Sequence, residues 1–210
     1  MVNQGNRPSI GIVASDDAIR HDAYPLTPGQ SVLIVVDFQE SLVAAIASGS
    51  GILARAELLI RCATELGVPI VSTTQNVARL GAMSPRISAM LRPDDVIDKM
   101  AFSAFRCDSA RKAIERTGAK QAVVCGLETH ICVAQTAIDL SRAGYATTVV
   151  ADAVGSRSIE LHKLGMERIR DLGVFPAAAE SVVYEWLGTS ESAAFRAVLR
   201  LVKAAHGAIV

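Results

Sequence analysis

Three side chains of this sequence have the types and settings that nucleophilic chemistry needs: Cys132, Asp37 and Lys99. A thiol becomes a nucleophile when a neighbouring group takes its proton, and a carboxylate within hydrogen-bond reach can do so. A nearby ammonium favours both anions and balances negative charge that develops during reaction. Cys132 lies in Gly126-Leu127-Glu128-Thr129-His130-Ile131-Cys132-Val133, which joins an apolar run to a helical pattern. At a helix start the backbone N–H groups and the helix dipole lower a thiol's pKa, which predicts an easily ionised sulfur. The same N–H groups can bind an oxyanion. Asp37 follows Val32-Leu33-Ile34-Val35-Val36, the most apolar run of the chain, where a carboxylate is costly unless paired or used. Lys99 stands among apolar neighbours in Val96-Ile97-Asp98-Lys99-Met100-Ala101-Phe102. Each residue also has a purely structural reading: Asp37 as a loop or helix cap, Lys99 as a solvated strand end, Cys132 as a buried thiol facing a sheet.

The elements that must position these side chains follow from hydrophobic periodicity. Short β-branched runs predict strands over 32–36, 69–74, 95–99, 121–125 and 146–151, with a short sixth over 174–177. Helical spacing covers 51–66, stopped by Gly67, then 84–91, 108–117, 132–143, 159–172, 179–187 and 191–205. Strands alternating with helices imply βαβ units, and right-handed crossovers put helices on both faces. The expected fold is α/β: a three-layer α/β/α sandwich around a mostly parallel five- or six-stranded sheet, Rossmann-like in order, 3-2-1-4-5-6. In such a sheet, ligands bind beyond the carboxyl ends of the strands. Asp37, Lys99 and Cys132 all follow strand ends. Residues 1–30 are polar and rich in turn formers, and read as an N-terminal arm. Residues 31–210, including the C-terminal helices, read as one domain with no long linker.

Bulk composition narrows the function. A chain of 210 residues, half of them apolar, suits one α/β domain with a sizeable aliphatic core. With 21 basic and 21 acidic residues there is no net field to hold nucleic acid or an anionic membrane, so the expected substrate is a small molecule. No apolar run approaches the roughly 20 residues that cross a bilayer, and the N-terminus lacks a signal-peptide core. Cys62, Cys107, Cys125 and Cys132 form no C-x-x-C pair, which fits a cytoplasmic protein with reduced thiols. Cys62 and Cys125, in apolar runs, read as small buried hydrophobes. His21, His130, His162 and His206 show no ligand spacing. His130 stands close enough to Cys132 for a Cys–His dyad, or can point outward from a helix start. Ala193, Ala194, Ala197, Val198, Leu201, Val202 and Ala205 form an apolar stripe that packs on its own domain or on a partner, and a homo-oligomer, dimer or tetramer, is expected. Two further classes stay open: a non-enzymatic ligand or partner binder, and a redox-sensing thiol protein.

Four segments together carry a family resemblance: VVDFQE (35–40), the Lys99 run with Phe102-Ser103-Ala104-Phe105, GLETHICVAQTAIDLSRAGY (126–145) and VVADAVGSRS (149–158). Over residues 31–187 the chain resembles the isochorismatase-like, or cysteine hydrolase, superfamily. Thr73-Thr74-Gln75 and the Ser156-Arg157-Ser158 turn make it most similar to the isochorismatase domain-containing branch. The resemblance implies a Cys–Asp–Lys triad at Cys132, Asp37 and Lys99. It implies a cis peptide at Leu127-Glu128 and an oxyanion hole from the backbone amides of Glu128 and Cys132. It further implies attack on a small amide-like carbonyl and a thioester intermediate, with Phe38, Gln75, Phe102 and His130 as candidates for the pocket wall. Nicotinamidases of this superfamily carry an Asp-x-His metal motif after the second strand. Here Thr73-Thr74-Gln75-Asn76-Val77-Ala78-Arg79 holds no histidine. No catalytic metal and no cofactor are expected, and nicotinamidase activity is not.

Overall fold

A run of branched apolar residues without a polar break is stable only when covered on both faces. Ser31–Val36 forms such a strand, β1, and all six of its residues are buried. The structure, a computed structural model, describes residues 24–206. Residues 1–23 of the expected N-terminal arm, and His21 with them, lie outside the described residues. Residues 24–30 are part of the domain body. Leu26 is fully buried, Tyr24 Oη shares a 2.6 Å hydrogen bond with Thr148 Oγ1, and the Thr27 N–H donates to Gln121 Oε1 at 2.9 Å.

Five more strands flank β1: β2 (Ile70–Gln75), β3 (Val96–Lys99), β4 (Gln121–Leu127), β5 (Ala146–Gly155) and β6 (Phe175–Ala177). The sheet has six strands in the order β3-β2-β1-β4-β5-β6, and every pairing is parallel. The helices are α1 (Glu40–Ala44), α2 (Gly49–Leu66), α3 (Val77–Leu80), α4 (Pro85–Ser88), α5 (Asp108–Arg116), α6 (Ala134–Arg142), α7 (Ile159–Asp171), α8 (Ala179–Leu187) and α9 (Phe195–His206). Alternate residues of β1 enter opposite cores, as the pleat requires. Leu33 and Val35 pack in one core with residues of α2, α8 and α9. Val32, Ile34 and Val36 pack in the other with residues of α5, α6 and α7. Part of the C-terminal stripe is covered by its own domain: Val198 and Val202 are buried in the first core, where α9 packs on α2 and α8, while Ala193 is exposed. No helix among the described residues is long and apolar enough to cross a membrane.

The differences from the sequence pattern fall at the carboxyl edge of the sheet. β4 and β5 run past their apolar stretches, because the parallel ladder resumes at Gly126 and Val154 after an irregular stretch of β5. Between Val124 and Gly126 of β4 the register shifts, and β5 advances from Val149 to Val154. This bulge pushes out Asp152, which accepts a hydrogen bond from the Ala179 N–H at 2.8 Å and pairs with Arg55 at 3.6 Å. The helix expected from 132 enters through a π-turn, Thr129–Val133, before α6 begins. α1 and α3 are too short to leave a periodic signal.

Gly126 is the tightest point of this edge. Its φ is +141°, and an added Cβ would run into the backbone carbonyl of Val36. Gly126→Ala is therefore expected to destabilise the fold by about 2–4 kcal/mol, read as a lower urea midpoint at unchanged m-value.

Candidate active site

Strand register alone gathers the candidate residues. Val36 pairs with Thr73 on one side and Gly126 on the other, so Asp37, one step beyond, stands between the ends of β2 and β4. Lys99 is the register partner of Gln75. Asp37 leaves the sheet in the left-handed region, with φ +53°. Its N–H donates to the Thr73 carbonyl at 3.0 Å, which ties the turn to β2.

The side chains complete the cluster. Lys99 Nζ donates to Asp37 Oδ2 at 2.7 Å and to Gln75 Oε1 at 2.7 Å. Thr73 Oγ1 donates to Asp37 Oδ1 at 2.8 Å. The Cys132 sulfur lies 4.0 Å from Gln75 Oε1, the same oxygen that accepts from Lys99, and is near enough to the Asp37 carboxylate to feel its charge. Gln75 Nε2 donates to the Met100 carbonyl at 2.9 Å, which fixes the amide so that its oxygen faces Lys99. Both charged side chains of the Asp37–Lys99 pair are fully buried, and Cys132 is 6% exposed.

Burial pushes the Asp37 carboxyl above its ordinary value, while Lys99 and the bonds from Cys132 and Thr73 pull the other way without overcoming it. The Cys132 thiol is pushed up to about 12, first by burial and then by the negative charge of Asp37, with Lys99 opposing. This corrects the expectation of an easily ionised sulfur. The resting thiol keeps its proton, because burial, aided by the nearby Asp37 charge, outweighs the helix start.

The isochorismatase domain matches residues 31–181. The chain belongs to the isochorismatase family. A secreted isochorismatase effector of Phytophthora sojae is 34% identical over 182 residues, covering 85% of this chain and 87% of its own. The solved structure of a protein named MAR1 ribonuclease from Caenorhabditis elegans is 27% identical, with a TM-score of 0.80 over 85% of this chain and 92% of its own. The YcaC protein of Escherichia coli, named an octameric hydrolase of unknown specificity, shares the fold at 21% identity and a TM-score of 0.81, covering 87% of this chain and 91% of its own.

In this isochorismatase-family chain the other expected site residues divide. Gln75 joins the buried cluster. Phe102 is 54% exposed, just beyond β3. Phe38 is fully buried and packs in the first core. His130 turns its ring to Ser156, sharing a 2.9 Å hydrogen bond, and has no bond to Cys132 among those described. The Leu127–Glu128 peptide bond is cis. Glu128 is 5% exposed and ion-paired with Arg157 at 2.6 Å. Among the described residues no group of three or more His, Cys, Asp and Glu side chains is arranged to hold a metal ion. A cavity of about 420 Å³ opens beside the end of β5, lined among others by Arg55, Ser156 and His162, and none of Asp37, Lys99 and Cys132 lines it.

Two structural partners of the site carry no sequence reading of their own. Gln39 accepts from the Gln75 N–H at 2.7 Å and donates to the Gln75 and Gly81 carbonyls at 3.1 and 2.6 Å, pinning the end of β2. Thr73 orients the carboxylate. The D-F-Q segment that contains Gln39 was the available signal, and alternation along β2 marks Thr73 only as buried.

Two outcomes follow. Lys99→Met strands a buried carboxylate and is expected to cost about 3–5 kcal/mol in urea unfolding. Alkylation of Cys132 by iodoacetamide, read by mass spectrometry against pH, should rise with loss of the Asp37 proton. Since that carboxyl is raised, the rise falls above the ordinary value of about 3.9, and no second step appears near about 8.5, where a free thiol ionises. A lone step near about 8.5, with no earlier rise, would show a sulfur that ionises as a free thiol and contradict this coupling to Asp37.

Proposed function

We propose that this protein is a metal-independent cysteine hydrolase that cleaves a small amide-like C–N substrate through Cys132. Family membership supports hydrolase chemistry in general. The observation that carries the finer reading is the buried cluster in which Lys99 Nζ donates to Asp37 Oδ2 and to Gln75 Oε1, both at 2.7 Å, with the Cys132 sulfur 4.0 Å from that same Gln75 oxygen. A protonated thiol held against a carboxylate of raised pKa is set for proton transfer at the moment of attack.

In this reading Asp37 takes the thiol proton as the sulfur bonds to the substrate carbonyl carbon. The backbone N–H groups of Glu128 and Cys132 receive the charge on the carbonyl oxygen. Protonated Asp37 then passes its proton to the leaving amine, and the thioester forms. A water molecule, deprotonated by the same carboxylate, releases the acid and restores the thiol. Lys99 and Thr73 hold the carboxylate in place throughout. Both Asp37 oxygens are engaged by these two residues, which supports a site that works without a metal. Phe102 and Gln75 would face the substrate, and His130 would line the approach to it.

The E. coli neighbour's octameric name favours a homo-oligomer here, dimer or larger, and we expect light scattering to find a species above the 22.1 kDa chain. Four free cysteines suit the cytoplasm as its compartment. The C. elegans neighbour's name makes a short RNA the natural competitor to amides, and the balanced charge of this chain disfavours it.

The test is a panel of small amides and a short RNA, assayed with wild type, Cys132→Ala and Asp37→Asn. Amide turnover is expected, with Cys132→Ala inactive and Asp37→Asn slowed by about 10²–10⁴-fold. Turnover that survives both substitutions would remove the nucleophile and its base from the mechanism.

A further inference from the structure

The π-turn that presents Cys132 is gripped from outside by one neighbouring segment. Three consecutive residues of the chain, Glu128, Thr129 and His130, each send a side chain to the stretch after β5. Glu128 Oε1 accepts from the Arg157 N–H at 3.0 Å and from Arg157 Nε at 2.9 Å. Glu128 Oε2 accepts from Arg157 Nη2 at 2.6 Å and Nε at 3.2 Å. Thr129 Oγ1 shares a 3.0 Å hydrogen bond with His162 Nδ1, and His130 Nδ1 shares one of 2.9 Å with Ser156 Oγ. Gly165 of α7 closes against the same turn: a Cβ there would stand 2.9 Å from His130 Cα.

The grip at Glu128 is lopsided in a telling way. The carboxylate side chain is 5% exposed while the guanidinium is 60% exposed. Burial raises the Glu128 carboxyl, but the side-chain and backbone bonds from Arg157 outweigh it and hold it below the usual carboxylate range. A forked, charge-assisted contact of this kind fixes direction as well as distance. The carbonyl of Glu128 is fixed too, accepting from the Ile131 and Val133 N–H groups at 3.0 and 3.2 Å. With side chain and carbonyl both held, the Glu128 Cα has little freedom, and the peptide plane that carries the Glu128 N–H ends at that atom.

We propose that Arg157, with Ser156 and His162 beside it, is a positioning residue for the oxyanion-binding amide of Glu128. Arg157 touches no substrate. It sets how well the site stabilises charge on the substrate's carbonyl oxygen. The proposal rests on the reading of Cys132 as nucleophile and Glu128 as oxyanion donor.

Two neutral electrophiles separate the thiol from the oxyanion amide without any known substrate. With iodoacetamide the sulfur displaces iodide, and the amide oxygen takes on no full charge. With acrylamide the sulfur bonds to the terminal carbon, and the C=C electron pair moves onto the amide oxygen as an enolate. The proton taken by Asp37 then returns to the α-carbon. The ratio of the two rates at Cys132, followed as adducts by mass spectrometry, reports oxyanion stabilisation alone. In Arg157→Gln the acrylamide-to-iodoacetamide ratio is expected to fall about tenfold, with the iodoacetamide rate within about twofold of wild type. Arg157→Lys, which keeps the cation and loses the fork, should fall between the two. An unchanged ratio overturns the proposal, and so does an equal fall in both rates, which would make Arg157 a support of the fold or of the thiol itself. If Arg157→Gln does not fold, the same ratio is read in Arg157→Lys and Ser156→Ala, and no change in either overturns it. Labelling of Cys132 in wild type that is absent, or equally fast in Asp37→Asn, is a different failure: it removes the nucleophile reading, and the positioning role with it.

Discussion

A carboxylate and an ammonium, both withdrawn from water, must meet at the carboxyl edge of the central sheet. Desolvating either ion alone costs several kcal/mol, and only close pairing with further hydrogen bonds offsets it. Asp37 and Lys99 achieve this at 2.7 Å, with Thr73 on the other carboxylate oxygen and Gln75 on the ammonium. The three strands that supply these residues are β1, β2 and β3. A slip of one residue anywhere among them would turn a charged side chain to the wrong face. The ion pair and the sheet register thus depend on each other. Gln39 reinforces the arrangement by bonding both the N–H and the carbonyl of Gln75 at the point where β2 ends.

The same pair decides the state of the sulfur. A helix start offers a partial positive charge worth about 0.3–1 kcal/mol at ordinary exposure. Burial of the thiol disfavours its anion by more than this, and the nearby Asp37 charge adds to that effect. Burial and the carboxylate together win, and Cys132 holds its proton. That has a chemical benefit. A permanent thiolate beside buried Asp37 would add a second uncompensated anion, whereas a shared proton keeps the cluster near neutrality until an electrophile draws it across. Lys99 then balances whichever of the two atoms carries the charge.

The sheet and its charged edge were legible in the sequence because their causes are local. Six β-branched or apolar segments declared the strands. Asp37 stood out because it interrupts the most apolar of them, and Lys99 because its neighbours are apolar. What escaped was set by long-range geometry. The resemblance named Phe38 for the pocket wall, and the left-handed turn at Asp37 swings the chain so that Phe38 enters the first core. Thr73, Gln39 and Arg157 act on residues 36, 36 and 29 positions away in sequence, and no periodicity encodes such pairs. The easily ionised thiol was misjudged for the same reason. The dipole that lowers its pKa is local, whereas the burial that raises it, and the carboxylate that adds to it, come from segments far away in the chain.

The bulge in β5 links these levels. Its apolar pattern ends near Ala151, yet the strand resumes pairing and reaches Gly155 opposite Leu127. Without the register shift, the turn after β5 would leave the sheet several residues earlier, and the guanidinium of Arg157 would not lie beside Glu128. The residue pushed out by the bulge, Asp152, is bonded to the start of α8 and paired with α2, so the irregular stretch is anchored to the first core. The strand that carries no candidate for the chemistry therefore sets the reach of the segment that grips the π-turn. The precision of the site comes from two rigid edges meeting: β1 to β3 fix the charges, and β5 fixes the backbone that faces them.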